Sequence, residues 1–230
     1  MLDKTVASLA DAVRGVPDGA VLLVGGFGVS GVPQELLCAL LDQGARELTI
    51  VNNNGGNGPR GLSELIAAGR VRKVVTSYAR SANPARPSAQ ALADAWRAGT
   101  VELECVPQGT IAERLRAAAA GIGPFYTPVS YGTPLAEGKE TRVIDGRGYV
   151  LEQPLHGDFA FVKAQAADRH GNVVFKNAER NFNLVMATAA KTTVVQVEEV
   201  VPLGAIPPEQ VMLPGIFVQR VVQCHHEPWI

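Results

Sequence analysis

The sequence predicts an α/β fold: a mostly parallel sheet with flanking helices and a β-rich C-terminal elaboration, in a single domain over residues 1–230. Three observations carry that prediction. Through residues 1–120, short apolar runs alternate with segments of helical length, the pattern of βαβ units. Beyond residue 121, proline, glycine and hairpin signals replace helical periodicity. The 230 residues are 47% hydrophobic and 19% charged, enough apolar material for a core without disulfides or a structural metal.

Residues 20–24 read as the first strand, stopping at Gly25-Gly26. Pro33 then opens a helix with Leu36, Leu37, Leu40 and Leu41 on one face. Residues 47–51 give the next strand, followed by an Asn/Gly loop and a helix near 62–68. Two more strands are expected at 71–75 and 101–106. Between them, residues 80–88 read as an exposed loop leading into a helix around 89–98. An Ala-rich helix follows at 110–120, with Glu113, Arg114 and Arg116 expected toward solvent. Residues 121–135 hold three prolines and three glycines and read as a functional loop or boundary rather than regular structure. Asp145-Gly146 is a hairpin signal, and residues 159–164 and 192–197 read as further strands.

Composition excludes several functions. With 21 Lys+Arg against 22 Asp+Glu and 6% aromatics, nothing marks a nucleic-acid or anionic-membrane surface. Cys38, Cys105 and Cys224 are odd in number and far apart, neither a disulfide framework nor zinc spacing. A reducing compartment is expected. Neither a secretory h-region nor a run approaching the roughly 18 apolar residues of a membrane span is present, so the expectation is a cytoplasmic protein. No metal and no resident cofactor is expected.

The strongest local signal is Gly25-Gly26-Phe27-Gly28-Val29-Ser30-Gly31-Val32-Pro33, between a strand and a helix. Backbone N–H groups there suit an oxyanion or phosphate; the competing reading is a tight turn needing glycine for packing. Gly26 to Gly31 satisfies G-x-G-x-x-G literally, yet Asn52-Asn53-Asn54 stands where a dinucleotide site needs an acid. Those asparagines are either neutral donors in a ligand crevice or an Asx-rich turn. Gln108, after the fourth strand, stands at the corresponding place. There is no nucleophile elbow, no GxxxxGK[ST], no HExxH, and His156 and His170 are isolated. His225-His226 read as a frayed tail. The pattern is half of an active site: oxyanion donors without a nucleophile.

Residues 18–33 resemble, throughout, the N-terminal signature of the alpha subunits of family I CoA-transferases acting on 3-oxoacids. Asn53-Asn54, Pro107-Gln108-Gly109, Tyr131-Gly132-Thr133, Ala136-Glu137-Gly138-Lys139-Glu140, Arg180-Asn181-Phe182-Asn183, Ala189-Ala190-Lys191-Thr192 and residues 214–220 are similar to that family in the same order. Residues 80–92 and the tail after Cys224 diverge.

The resemblance implies a fold of the type shared with sugar-phosphate isomerases. It implies, as partner, a CoA-transferase beta subunit, in a heterodimer or an assembly of two alpha and two beta. It also implies coenzyme A thioesters as substrates and a glutamate nucleophile on the beta subunit. In this chain Gly28, Asn53 and Gln108 are then the oxyanion and positioning candidates, with Gly25, Gly26, Phe27, Gly28, Gly31, Asn54 and Arg80 toward CoA or substrate. None of Glu137, Glu140, Glu198 and Glu199 is nominated as nucleophile. Asn57-Gly58 with Gly61-Leu62, and residues 154–159, look more like the branch that moves CoA from succinyl-CoA to 3-oxoadipate than the acetoacetate branch. Arg80 stands where the second carboxylate that oxoadipate carries would be met; the competing reading is a solvated surface arginine. A sugar-phosphate isomerase and a ligand-sensing module of a regulator are the alternatives. The first needs its whole site in one chain, and the second an attached DNA-binding segment.

Overall fold

In the computed structural model, residues 2–56, 58, 60–79 and 90–224 are described. The N-terminal segment forms a short helix, α1 (Leu9–Val13), capped by Ser8, whose hydroxyl accepts the Asp11 N–H. β1 (Val21–Val24), β2 (Leu48–Val51), β3 (Val71–Thr76) and β4 (Glu102–Cys105) then lie side by side, all parallel, in chain order. β2 is buried along its whole length, as expected of a parallel strand covered on both faces. The crossovers carry α2 (Gln34–Gln43), α3 (Leu62–Ala67) and α4 (Ala91–Arg97); α5 (Gln108–Ala120) follows β4. α2 buries Leu36, Leu37 and Leu40 completely and ends at Gly44, which has φ 97 and returns its N–H to the Leu40 carbonyl.

A three-stranded antiparallel sheet comes next: β5 (Phe125–Thr127), β6 (Thr141–Ile144) and β7 (Arg147–Glu152), in the order β5-β7-β6. Residues 121–135, expected to be irregular, therefore supply one strand. Phe125 pairs with Glu152 and Thr127 with Val150, a long-range pairing that local composition could not signal. Asp145-Gly146 makes the expected hairpin turn between β6 and β7, with φ 49 and 75.

The chain then returns to the main sheet. β8 (Gly157–Asp168) pairs parallel with the free side of β1, setting Leu22 beside Phe159. β9 (Val173–Val174) folds back antiparallel on β8, and α6 (Asn181–Thr188) crosses to β10 (Ala190–Val201). β10 pairs with β8 from Ala190↔Gly157 to Val201↔Asp168, and β11 (Arg220–Gln223) closes the row. Both β8 and β10 outrun the segments the sequence suggested. The sheet order is β11-β10-β8-β1-β2-β3-β4, so most of the β-rich C-terminal part extends the main sheet.

The period-2 alternation of β1 explains the layers. Leu22 and Val24 pack with Leu36, Leu37, Leu40, Ile50 and Leu65 under the helices of one face. Leu23 packs with Val51, Ile111, Leu115, Ala160 and Met186 under α5 and α6 on the other. Each fully buried leucine contributes about 2 kcal/mol by removing apolar surface from water. Arg114 departs from expectation: it is buried, donating through Nε to the Gln153 carbonyl at 2.9 Å and through Nη1 to Glu104 at 2.9 Å. Helical periodicity placed it outside, and the strand edge carrying Glu104 drew it in. Glu113 and Arg116 are exposed, as expected.

β1 has β2 on one side and β8, well over a hundred residues later, on the other, so the order of connection reverses there. In open α/β sheets such a reversal opens a crevice at the carboxyl ends of the strands. The Gly25–Pro33 segment leaves β1 at that point. Among the described residues no helix is long and apolar enough to cross a membrane, and no cluster of His, Cys, Asp and Glu could hold a metal. All three cysteines are free.

Candidate active site

The glycine loop begins as an extension of β1, with the Gly25 N–H donating to Phe161 O at 2.9 Å. It then reverses tightly: Phe27 and Ser30 exchange both backbone hydrogen bonds at 3.0 Å around Gly28 and Val29. Gly28 has φ 61, a left-handed conformation that glycine adopts without penalty. As the first central residue of the turn, Gly28 does not spend its N–H on the reversal. That N–H reaches Asn54 Oδ1 at 3.0 Å.

Asn53 and Asn54 stand at the carboxyl end of β2. The Asn53 side chain is fully buried and donates from Nδ2 to the same Asn54 Oδ1 at 3.1 Å. Two N–H groups from separate loops thus meet on the Asn54 amide oxygen. Asn53 Oδ1 is buried and has no hydrogen-bond partner among the described residues. Asn52 behaves differently: its Oδ1 accepts the Asn54 N–H at 3.0 Å and its Nδ2 donates to Val24 O at 2.8 Å. The Asx-turn reading holds for Asn52. Asn53 and Asn54 instead join the loops.

Gln108 opens α5 at the carboxyl end of β4, and its Oε1 accepts the Tyr78 hydroxyl at 3.1 Å. Tyr78, just past β3, donates its N–H to Asn53 O, and Thr76 Oγ1 donates to the same carbonyl at 3.1 Å. The ends of β1, β2, β3 and β4 are therefore tied in series. Tyr78 was not singled out from sequence; its position just past a strand end is the signal that points to it. An open cleft with about 810 Å³ of empty space lies beside this chain of bonds, lined by Phe27, Gln108, Gly109, Ala112, Asn181 and Phe182. A tighter hollow lies on the other side of the loop, bounded by Gly28, Val29, Asn52, Asn54 and Arg60.

Packing explains part of the glycine content. A Cβ on Gly25 would stand 1.8 Å from Asn183 Oδ1, and one on Gly31 would stand 2.6 Å from Asn183 Nδ2 and 2.8 Å from Glu179 O. Gly26, at φ 107, faces Val32. A Cβ on Gly28 would meet nothing within 4 Å. Gly25, Gly26 and Gly31 thus serve the loop's fit, and Gly28 serves the presentation of its N–H.

No nucleophile faces this crevice among the described residues. Burial pushes the Cys224 thiol up to about 12 and raises that of Cys38, so neither offers a thiolate at neutral pH. Glu198 lies near Lys163 and Lys176, while Glu140 accepts from the Tyr126 hydroxyl in the small sheet. Arg80 and His225-His226 lie outside the described residues.

The coenzyme A transferase family profile matches residues 6–224. This chain belongs to that family. It is 54% identical to a 3-oxoadipate CoA-transferase subunit of Pseudomonas putida, covering 96% of this chain and 94% of the relative. It is also 47% identical to a succinyl-CoA:3-ketoacid coenzyme A transferase subunit of Xanthomonas campestris, over 95% of this chain and 88% of the relative. Among solved structures, the acyl-CoA transferase of Escherichia coli O157:H7 superposes with a TM-score of 0.84 at 26% identity, over 96% of this chain and 47% of that one. The transferase fold is thus common to relatives built as separate subunits and to one in which a region like this chain fills about half of a longer polypeptide.

Proposed function

We propose that this chain is the alpha subunit of a two-subunit transferase that moves coenzyme A from succinyl-CoA to 3-oxoadipate. The observation that carries the reading is the pair of N–H groups, from Gly28 and Asn53, converging at 3.0 and 3.1 Å on one position, in a crevice without a nucleophile. The chain's 54% identity to a 3-oxoadipate CoA-transferase subunit favours that acceptor over acetoacetate, the acceptor of the alternative reading.

In this reading a glutamate of the beta subunit supplies the nucleophile. Its carboxylate attacks the thioester carbonyl of succinyl-CoA, and the carbonyl oxygen, becoming an oxyanion, takes the place of Asn54 Oδ1 opposite the Gly28 N–H. Collapse of the tetrahedral species expels CoA thiolate and leaves an acyl-glutamyl anhydride. The thiolate attacks the glutamyl carbonyl, releasing succinate and forming a glutamyl-CoA thioester; 3-oxoadipate then reverses the sequence. Covalent catalysis splits one difficult exchange into easier halves, and preorganised donors stabilise each oxyanion. Gln108 borders the open cleft on the other side of the loop, where it orients the acyl portion. Coenzyme A enters as substrate, and no resident cofactor is required. For the second carboxylate of oxoadipate the sequence offers Arg80, which lies outside the described residues.

The test is CoA exchange from succinyl-CoA to 3-oxoadipate and to acetoacetate, with this chain alone and co-expressed with its partner subunit. The expected result is no exchange alone and faster exchange to oxoadipate with the partner; full activity of the isolated chain, or none with the partner, overturns the reading. Arg80→Ala raises KM for oxoadipate and leaves acetoacetate nearly unchanged. Equal effects on both acceptors would remove Arg80 from the assignment.

A further inference from the structure

The segment Arg180-Asn181-Phe182-Asn183 borders the open cleft through Asn181 and Phe182, and its two asparagines also grip successive carbonyls of the glycine loop. Asn181 Nδ2 donates to Ser30 O at 3.1 Å, and Asn183 Nδ2 donates to Gly31 O at 2.9 Å. Asn183 is fully buried, and its three partners fix which way its amide faces. Nδ2 meets two carbonyls, Gly31 O and Glu179 O at 2.7 Å, while Oδ1 accepts the Lys163 N–H at 3.1 Å. The reverse orientation would set a carbonyl oxygen against two others. Asn181 also holds its own helix, since its Oδ1 accepts the Phe182 N–H at 2.6 Å.

The turn bearing these asparagines is itself anchored. Lys163, on β8, is buried and pairs with Glu179 at 3.0 Å, with Glu198 at 3.9 Å beyond it. A charge so placed resists movement, because separating the pair strands an ion away from water. Ser30 closes the reversal that presents the Gly28 N–H. A displacement of Ser30 therefore swings that N–H away from the point it shares with Asn53 Nδ2.

We infer that Asn181 and Asn183 are positioning residues for the transfer reaction: a two-amide clamp, braced by the Lys163–Glu179 pair, that sets the direction of the Gly28 N–H. The inference rests on the oxyanion role proposed above for Gly28. Asn183, fully buried, acts only through the loop, so its loss slows the chemical step while leaving substrate affinity in place; Asn181 also borders the cleft. Misdirecting a preorganised donor costs on the order of 10- to 100-fold in rate.

Asn181→Asp in the complex with the partner subunit is the discriminating variant. The aspartate keeps the acceptor for the Phe182 N–H and loses the donors to Ser30 O and to Ala178 O. The expected result is kcat lowered about 30-fold, unchanged assembly, and faster backbone hydrogen exchange confined to residues 25–33 and the turn at 177–181. Asn183→Asp, which also sets two buried carbonyls against an acid, gives a larger fall in kcat. Unchanged exchange at residues 25–33, or accelerated exchange throughout α6 and the sheet with kcat following stability, overturns the clamp. If the wild-type complex transfers no CoA, the functional reading fails and hydrogen exchange still decides the clamp.

Discussion

Two tight reversals in this chain each enter through a left-handed residue and differ in what enforces them. Phe27 and Ser30 close around Gly28 at φ 61, and Ile144 and Arg147 close around Asp145 and Gly146 at φ 49 and 75. The second lies on β6, exposed along its whole length, and a Cβ on Gly146 would meet nothing within 4 Å. The first is held by Asn54, 26 residues from Gly28, and by Asn183, 152 residues from Gly31. One reversal is specified by its own two residues; the other is specified by the tertiary structure, which is how a loop gains a fixed geometry.

The largest effect that would break the comparison is at Gly25. Gly25→Ala drives a Cβ into Asn183 and should cost about 3 kcal/mol in urea unfolding, together with more than about 100-fold in CoA exchange. A small loss in both would show that the loop yields as freely as the hairpin. Gln108→Ala comes next: kcat falls about 100-fold with an unchanged unfolding midpoint if its amide orients the acyl group, and a change in KM alone would reduce it to a binding contact. Gly146→Ala, by contrast, costs about 1 kcal/mol of stability through the left-handed backbone it strains. CoA exchange by that variant matches wild type. Loss of activity there would mean that the small sheet also reaches the site.

Acid gives the smallest effect, and it acts on neither turn. Burial raises the Glu104 carboxyl, but hydrogen bonds from Lys73 and Arg114 outweigh it and hold the group below the usual carboxylate range. A carboxyl depressed in the folded state stabilises fully above its unfolded value of 4.5 and loses that contribution as pH falls through the folded one. Stability measured by urea should therefore decline below pH 4.5, less steeply in Glu104→Gln, while the loop, which carries no ionisable side chain from Gly25 to Pro33, contributes nothing to the slope.

The same contrast marks what the sequence discloses. The four-strand half was legible because apolar runs and glycine stops act locally, and so was the Asp145-Gly146 turn. Gly25 to Gly31 announced themselves, yet the reason for Gly25 and Gly31, the amide of Asn183, lies far along the chain. β5 and the length of β8 and β10 were invisible for the same reason: pairing partners decide them. Arg114 was misplaced because helical periodicity cannot know that Glu104 waits under the helix. Asn53, Gln108 and Tyr78 share one signal, a place just past a strand end, but only the bonds between those ends show Tyr78 linking the other two.

The position of β8 beside β1 has a further consequence for how the molecule comes into being. On the ribosome, β1 through β4 emerge first and can pair among themselves, but the outer side of β1 stays unpaired until Phe159 and Phe161 arrive. The asparagines that grip the loop come later still. Long-range parallel pairing of this kind is slow to nucleate and leaves an open strand edge in the interim. The nascent N-terminal half is thus the sticky stage of synthesis, and the loop becomes competent only when more than three-quarters of the 230 residues have been made.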